Sequence, residues 1–234
     1  MTRKGNNRRS GFPRAKDDWY VETETCVEQL LDAIDFTGFL IWDPACGQGT
    51  ALDVCRRRGL DTVGSDIVDR GAAHSWRRLD FLADPPWWGE QGFEYARPVA
   101  IICNPPYGRL AKGMPRADTF AERFVRRALS GPISRVAMII QRTLLWSERR
   151  WQLFAEDHPP TQLLFLSERP SMPPGAELPR LRAEGLDHRR GSMDYVWIYW
   201  ERGAAPRPPV WLRPSNTTVI SGAAGRAAVS SLKV

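Results

Sequence analysis

The chain has 234 residues, carries 33 Lys+Arg against 27 Asp+Glu for a formal net charge of +6, and is 42% hydrophobic and 26% charged. That is the make-up of a soluble globular protein with enough length for one domain and its core, and ten Trp, nine Phe and five Tyr exclude disorder throughout. No apolar run approaches the roughly 20 residues of a membrane helix. Before Trp19 the basic N-terminus has only Phe12 as an apolar side chain of any size, which argues against a secretory leader.

Residues 24–34 place Val27, Leu30, Leu31 and Ile34 at helical spacing, which predicts a helix. The apolar run 39–42 reads as a short strand ending at Asp43-Pro44. A turn with two glycines follows, and 50–58 reads as a helix closed by Gly59. A second strand is expected over 61–67, a short third over 78–81, and a buried strand over 99–103 that runs into Asn104-Pro-Pro-Tyr107. Helical spacing returns over 117–129, a strand is expected over 135–140, and a helix runs from a Ser147 cap to about residue 156. Two last strands, 162–166 and 195–200, bracket a polar, basic segment over 168–194 with Arg169, Arg180, Arg182, Arg189 and Arg190. Strand and helix alternate, so the predicted class is α/β, a mostly parallel sheet with helices on both faces. Ligands of such sheets bind at the carboxyl ends of the strands, where both the glycine turn and Asn104-Pro-Pro-Tyr107 fall.

The charge is concentrated at the ends. Residues 1–16 hold six basic side chains and no acid, and 203–234 hold four and no acid, which leaves the body at −4. Both ends lack an apolar period and are expected to be flexible tails on a single domain over 17–202. Basic tails favour polyanions such as nucleic acid through counterion release, but they serve equally as solubility tails with no partner, so the tails alone decide nothing. Cys26, Cys46, Cys55 and Cys103 form no CxxC pair, and beside His74, His158 and His188 they show no metal-ligand spacing. The expectation is therefore a cytoplasmic protein with no metal, no disulfide framework and no membrane partner, monomeric by default.

Asp43-Pro-Ala-Cys-Gly-Gln-Gly49 lies between a strand and a helix, where glycines let the backbone pass close to a ligand. A dinucleotide fingerprint would need a third glycine where Leu52 stands, and Asp43 would repel a phosphate but suit a cation. Asp66 ends the next strand, 17 residues after Gly49, a spacing at which an acid accepts from ribose hydroxyls. Asp80-Phe81 follows the third strand, where a carboxylate would accept from an adenine amine while the ring packs on the base. A lone strand-end Asp is usually a cap; three in consecutive strand–helix units point to a ligand.

Asn104-Pro-Pro-Tyr107 stands 61 residues after Asp43. The prolines fix the loop and remove two backbone donors, leaving carbonyls exposed. An amine on a heteroaromatic ring, or an amide, is a poor nucleophile because its lone pair is delocalised. The Asn104 oxygen and the Pro105 carbonyl would hold its hydrogens and let the nitrogen pyramidalise, with Tyr107 stacking on the planar substrate. The bland alternative is a Pro-Pro turn with an aromatic plug.

The two motifs together resemble the signatures of S-adenosylmethionine-dependent N6-adenine DNA methyltransferases, in the gamma-type order. The resemblance spans about residues 17–202 and extends to Arg169-Pro170 and the Trp-rich strand near 200, which are similar to those of small phage and prophage members. It implies a class I, Rossmann-like three-layer fold with seven strands, the last antiparallel. It further implies that Asp43, Pro44, Ala45, Gly47 and Gly49 frame the methionine part of the cofactor. Asp66 and Ile67 would lie at its ribose, Asp80 and Phe81 at its adenine. Asn104, Pro105, Pro106 and Tyr107 would bind and activate the target amine, with Asn104 also near the cofactor. In the family a Tyr-x-Thr-Pro-like segment before the first strand also touches the cofactor; here Trp19-Tyr-Val-Glu-Thr23 occupies that place without the proline, which leaves contacts from Tyr20 or Thr23 open.

Sequence-specific members carry a large recognition region that has no counterpart here, so low or short-motif specificity and a preference for single-stranded substrates are expected. Trp87-Trp88 and Trp146 are candidates for the cleft or simply for the strand faces. Cytosine C5 chemistry is excluded because no Pro-Cys occurs. Methylation of an RNA base, of a protein glutamine, or a non-catalytic nucleic-acid-binding role remain as alternatives.

Overall fold

The computed structural model describes residues 15–72, 76–84, 97–108, 119–186 and 191–214. Helix α1 (Glu24–Ala33) precedes β1 (Leu40–Asp43), and α2 (Thr50–Arg57) leads to β2 (Asp61–Asp66) and β3 (Trp76–Arg78). Then come β4 (Val99–Cys103), α3 (Phe120–Ser130), β5 (Arg135–Gln141) and α4 (Glu148–Trp151), which continues as a π-helical stretch over Gln152–Asp157. Strand β6 (Gln162–Leu166), α5 (Leu178–Ala183), β7 (Tyr195–Glu201) and β8 (Val210–Leu212) complete the order. The strands form one sheet, β3-β2-β1-β4-β5-β7-β6-β8. Strand β7 is antiparallel to β5 and β6, and every other pairing is parallel.

Side chains alternate across the sheet with the period of two that strands impose. Ile101 and Cys103 of β4 with Val136, Met138 and Ile140 of β5 face α3, and pack with Trp42, Phe81 and Phe124. Ala100 and Ile102 with Ala137 and Ile139 face the other way, onto Val27 and Leu30 of α1 and Val54 of α2. The Trp-rich strand serves this core: the buried Trp197 indole donates to the Cys26 carbonyl at 2.9 Å, and Trp200 to that of His158 at 2.9 Å.

Four details depart from the sequence reading. The third strand ends at Arg78, so Asp80 and Phe81 lie in the turn beyond it. Ser147 stands at the N-cap of α4 but makes no capping bond with its side chain. The 168–194 segment folds inward: Leu178 and Leu181 of α5 are buried, Arg180 is held between Glu177 (3.1 Å) and Glu184 (2.7 Å), and Arg169 pairs with Asp194. Arg189 and Arg190 lie outside the described residues, as do Trp87-Trp88 and residues 1–14 and 215–234.

The fourth departure is an eighth strand inside the stretch expected to be tail. Val210, Trp211 and Leu212 pair with Leu164, Phe165 and Leu166. Leu212 is buried, and the Trp211 ring stacks on Phe165 at 5.3 Å. Gln29 of α1 donates to the Arg213 carbonyl and Ser167 to that of Leu212, so the strand is tied on two sides. No helix among the described residues is long and apolar enough to cross a membrane.

Candidate active site

The turn after β1 is built by its own side chains. Asp43 accepts from the Ala45 amide at 3.0 Å, and Gly49 donates to the Cys46 carbonyl at 2.7 Å, closing the turn ahead of α2. Gly47 and Gly49 have φ of 54° and 91°, the left-handed region that a Cβ disfavours. The turn is pinned to β2: Cys46 donates to the Ser65 carbonyl at 3.0 Å, and Gly47 to the Asp66 carboxylate at 2.9 Å. Pro44 is buried beneath it.

Asp66 holds the next corner. Its second oxygen accepts from the Val68 amide at 3.1 Å, and Arg70 stands 3.9 Å away. Each carboxylate oxygen has two acceptor sites, so capacity for a hydroxyl remains. Beside it Ile67 and Val68 are 43% and 37% exposed, an apolar shoulder at the end of β2. Asp80 caps its own turn, accepting from Leu82 at 2.9 Å and Ala83 at 3.2 Å. Phe81 is enclosed, 3% exposed, between Trp42 (5.4 Å) and Phe124 (4.8 Å). A ring so enclosed is part of the core; it backs the turn of Asp80 rather than offering an open face to a base.

Asn104 follows β4 and is held by a segment far away in sequence. Its amide nitrogen donates to the Tyr20 carbonyl at 2.9 Å and to a Glu22 oxygen at 3.0 Å. Both partners are acceptors, so the amide orientation is dictated and its oxygen is turned to the Tyr107 hydroxyl. That hydroxyl also lies 2.9 Å from the Ile139 carbonyl and has one proton for the two. The Asn104 oxygen keeps at least one free acceptor site. Tyr107 thereby differs from the sequence reading: its hydroxyl is anchored inward, and its ring packs toward Tyr195 at 6.0 Å. Pro105 is buried and Pro106 half-buried.

Three carboxylates, Glu22, Asp43 and Asp66, meet around the glycine turn. Burial, with the neighbouring Glu22 charge next, holds the Asp43 carboxyl well above its usual range; the Cys103 thiol donates to it and partly offsets this. Burial likewise raises the Glu22 carboxyl, although Asn104 and backbone amides pull the other way. Of the three, Arg70 faces Asp66 alone, so a further cation beside Asp43 and Glu22 would relieve their mutual repulsion. The four cysteines are buried free thiols, and burial pushes those of Cys26 and Cys55 up to about 12, so neither is a ready nucleophile.

Trp19 crosses the turn. A Cβ on Gly47 would stand 2.9 Å from the indole nitrogen, and Arg70 lies over the ring at 4.4 Å while reaching Asp17 at 3.4 Å. The indole N–H is buried without a protein partner, a donor that suits a ligand carboxylate. Trp19, Glu22 and Arg70 surround the candidate site and were missed by motif reading. The signal for the first two was their place in the Trp19–Thr23 segment to which the resemblance pointed; nothing in the sequence marked Arg70. Tyr20 belongs to the site through its carbonyl, whereas the Thr23 hydroxyl turns to Cys26 at 3.4 Å.

No family model and no curated protein matches the sequence. Solved structures do resemble the fold. A protein assigned as the modification subunit of a type I restriction enzyme from Vibrio vulnificus superposes with a TM-score of 0.53 at 16% identity, over 85% of this chain and 48% of its own. The type I restriction-modification methyltransferase subunit of Streptococcus thermophilus gives 0.51 at 11% identity, over 79% and 44%. A protein assigned as an RNA methyltransferase from Pyrococcus horikoshii gives 0.50 at 14% identity, over 82% and 92%. The chain thus spans about half the length of the two restriction-system subunits. Sheet order, the antiparallel β7 and these likenesses together establish the class I methyltransferase fold.

Proposed function

We propose that this chain transfers the methyl group of S-adenosylmethionine to the exocyclic N6 of adenine in DNA. The observation that carries the reading is the Asn104 amide, locked by Glu22 and the Tyr20 carbonyl so that an oxygen with acceptor capacity is all it has left to offer. The cofactor fits the residues present: two cationic centres for three clustered carboxylates, and a carboxylate for the orphaned Trp19 N–H. When bound, it supplies a methyl group on a sulfonium, an electrophile that needs only a neutral nitrogen lone pair.

The chain's own residues do the rest. Gly47 and Gly49 leave room beside the backbone, Asp43 and Glu22 favour the cation, and Asp66 with Ile67 borders the ribose. Asp80 keeps an acceptor for the adenine edge. At the target, the Asn104 oxygen and the Pro105 carbonyl accept the two amine hydrogens, drawing the nitrogen toward a pyramidal shape with its lone pair aimed at the methyl group. Tyr107 acts through Asn104 by its hydroxyl. The proton lost after transfer leaves from the product cation to solvent.

A second reading, methylation of an RNA base, is supported by the Pyrococcus protein, 92% of whose length is matched. One experiment separates them. Protein with methyl-labelled S-adenosylmethionine is offered duplex DNA, single-stranded DNA and RNA, and the digested nucleosides are resolved by mass. Labelled N6-methyladenine from DNA, abolished by Asn104→Ala, is the expected result. Label confined to RNA would replace the first reading by the second, and no label with intact cofactor binding would sink both.

A further inference from the structure

The segment before α1 is held to the 168–194 stretch by an antiparallel bridge, Tyr20 opposite Pro174. The Gly175 amide donates to the Trp19 carbonyl and the Val21 amide to the Pro173 carbonyl, both at 3.0 Å. These bonds flank the pair, so Pro174 stands where no backbone donor is required. Successive carbonyls of an extended backbone point to opposite sides. With that of Trp19 turned to Gly175, the Tyr20 carbonyl is turned away from the bridge, where it accepts from the Asn104 amide at 2.9 Å. Glu22, two residues on, reaches the same amide nitrogen at 3.0 Å.

The same bridge seats Trp19. A Cβ on Gly175 would stand 2.1, 2.3 and 2.4 Å from three carbons of the indole, so the ring lies directly against the Gly175 backbone. Its N–H edge meets the Gly47 turn, and Arg70 lies over the ring. Gly175 differs from Gly47 in one respect: its φ lies outside the left-handed region, so the backbone does not exclude a side chain. Only the indole requires the glycine. The platform itself is stiff. Pro173, Pro174 and Gly175 are buried, the two prolines fix their own φ, and Leu178 and Leu181 bury the helix that follows.

We infer that Gly175 is a positioning residue for methyl transfer: by seating Trp19 and holding the backbone on either side of Tyr20, it sets the strap 19–22 against both the glycine turn and the Asn104 amide. The inference rests on the reading of the reaction as methyl transfer from S-adenosylmethionine. Gly175 touches neither reactant and acts through the strap. A Cβ there would have to push the indole by more than about 1 Å to reach ordinary contact. With the Gly47 turn along one edge and Arg70 over its ring, the indole is enclosed, so the strap that carries it must give. The Tyr20 carbonyl and Glu22 then shift with it, and the Asn104 amide loses its fixed orientation.

The test uses the full chain as wild type, Gly175→Ala, Trp19→Ala and the double variant. It reads melting temperature, S-adenosylmethionine affinity by calorimetry, and labelled methyl transfer at saturating cofactor to adenine-containing DNA and RNA oligonucleotides. Gly175→Ala should lower kcat about 100-fold, the effect of misplacing a reacting group by about 1 Å, and weaken cofactor binding, with KM for the oligonucleotide little changed. Trp19→Ala should also lower kcat and cofactor affinity. Adding Gly175→Ala to it should change either value no more than about twofold, because nothing is left to collide with. A lower melting temperature with wild-type kcat and cofactor affinity makes Gly175 a packing residue and overturns the inference. So does a Gly175→Ala effect as large in the Trp19→Ala background as in the wild type. If Gly175→Ala alone does not fold, Trp19→Ala decides: losing both kcat and affinity upholds the inference, and wild-type values overturn it. A wild type that neither binds S-adenosylmethionine nor transfers its methyl group overturns the methyl-transfer reading and the inference together.

Discussion

The amide nitrogen of Asn104 and a carboxylate oxygen of Glu22 lie 3.0 Å apart although 82 positions separate them in the chain. The contact joins the segment before α1 to the loop after β4, and with the Tyr20 carbonyl it fixes the orientation of the Asn104 amide on which the proposed reaction depends. Glu22→Ala should therefore lower kcat about tenfold to a hundredfold, the range for losing a hydrogen bond to a charged group. Glu22→Gln retains an acceptor for the amide and should keep most of the rate. Steady-state kinetics on both variants, with cofactor affinity measured separately, checks this; unchanged kcat in Glu22→Ala would show that Asn104 needs no such support.

Asp43 and Glu22 are both held above the ordinary carboxylate range by burial. At these two groups the folded protein therefore binds more protons than the unfolded chain. Their contribution to stability is full below the unfolded values, near pH ~4, and is lost as pH rises through the raised folded values. These two carboxyls should make melting temperature fall as pH rises above the ordinary carboxylate range, and Asp43→Asn should remove part of that fall. S-adenosylmethionine, by placing a cation among the carboxylates, should raise the melting temperature more at the higher pH. Parallel slopes in wild type and variant would refute the assignment.

Gly47→Ala meets two obstacles, a left-handed φ of 54° and the Trp19 indole 2.9 Å from the new methyl carbon. The backbone alone should cost about 1–2 kcal/mol of stability. Displacing Trp19 should also weaken cofactor binding, read by calorimetry. Adding Trp19→Ala relieves the clash and leaves the strain, so stability should recover only in part; full recovery would place the whole cost in the contact.

Strand β8 closes the edge of the sheet through Leu212, which is 6% exposed. Leu212→Ala should destabilise by about 2 kcal/mol, and removal of residues 203–234 by more. Denaturant unfolding measures both. An unchanged midpoint after truncation would mean that the domain ends at β7.

Much of this fold was legible because its strands read as short continuous apolar runs: 99–103, buried on both faces, and 162–166, half-buried around Leu164, coincide with β4 and β6 to the residue. Strand β8 was not, since three residues after a Gly, Ala and Pro stretch carry no period, and their partner β6 lies 44 or more positions away. The enclosure of Phe81 was not legible for a related reason. An aromatic after a strand end looks the same in sequence whether its ring faces a ligand or the core, and here Trp42 and Phe124 enclose it.

The sequence by itself determined the alternation of strands and helices, the glycine turn and the Asn104 loop, because each depends on neighbours within a few residues: periodicity, φ freedom at Gly47 and Gly49, the missing donors of Pro105 and Pro106. Only the tertiary structure decided that Glu22 and the Tyr20 carbonyl orient Asn104, that Trp19 and Arg70 cover the turn, and that Trp146 and Trp151 share a pocket. Those are contacts between groups distant in the chain, and their partners are chosen by how the sheet orders its strands, which no local pattern encodes.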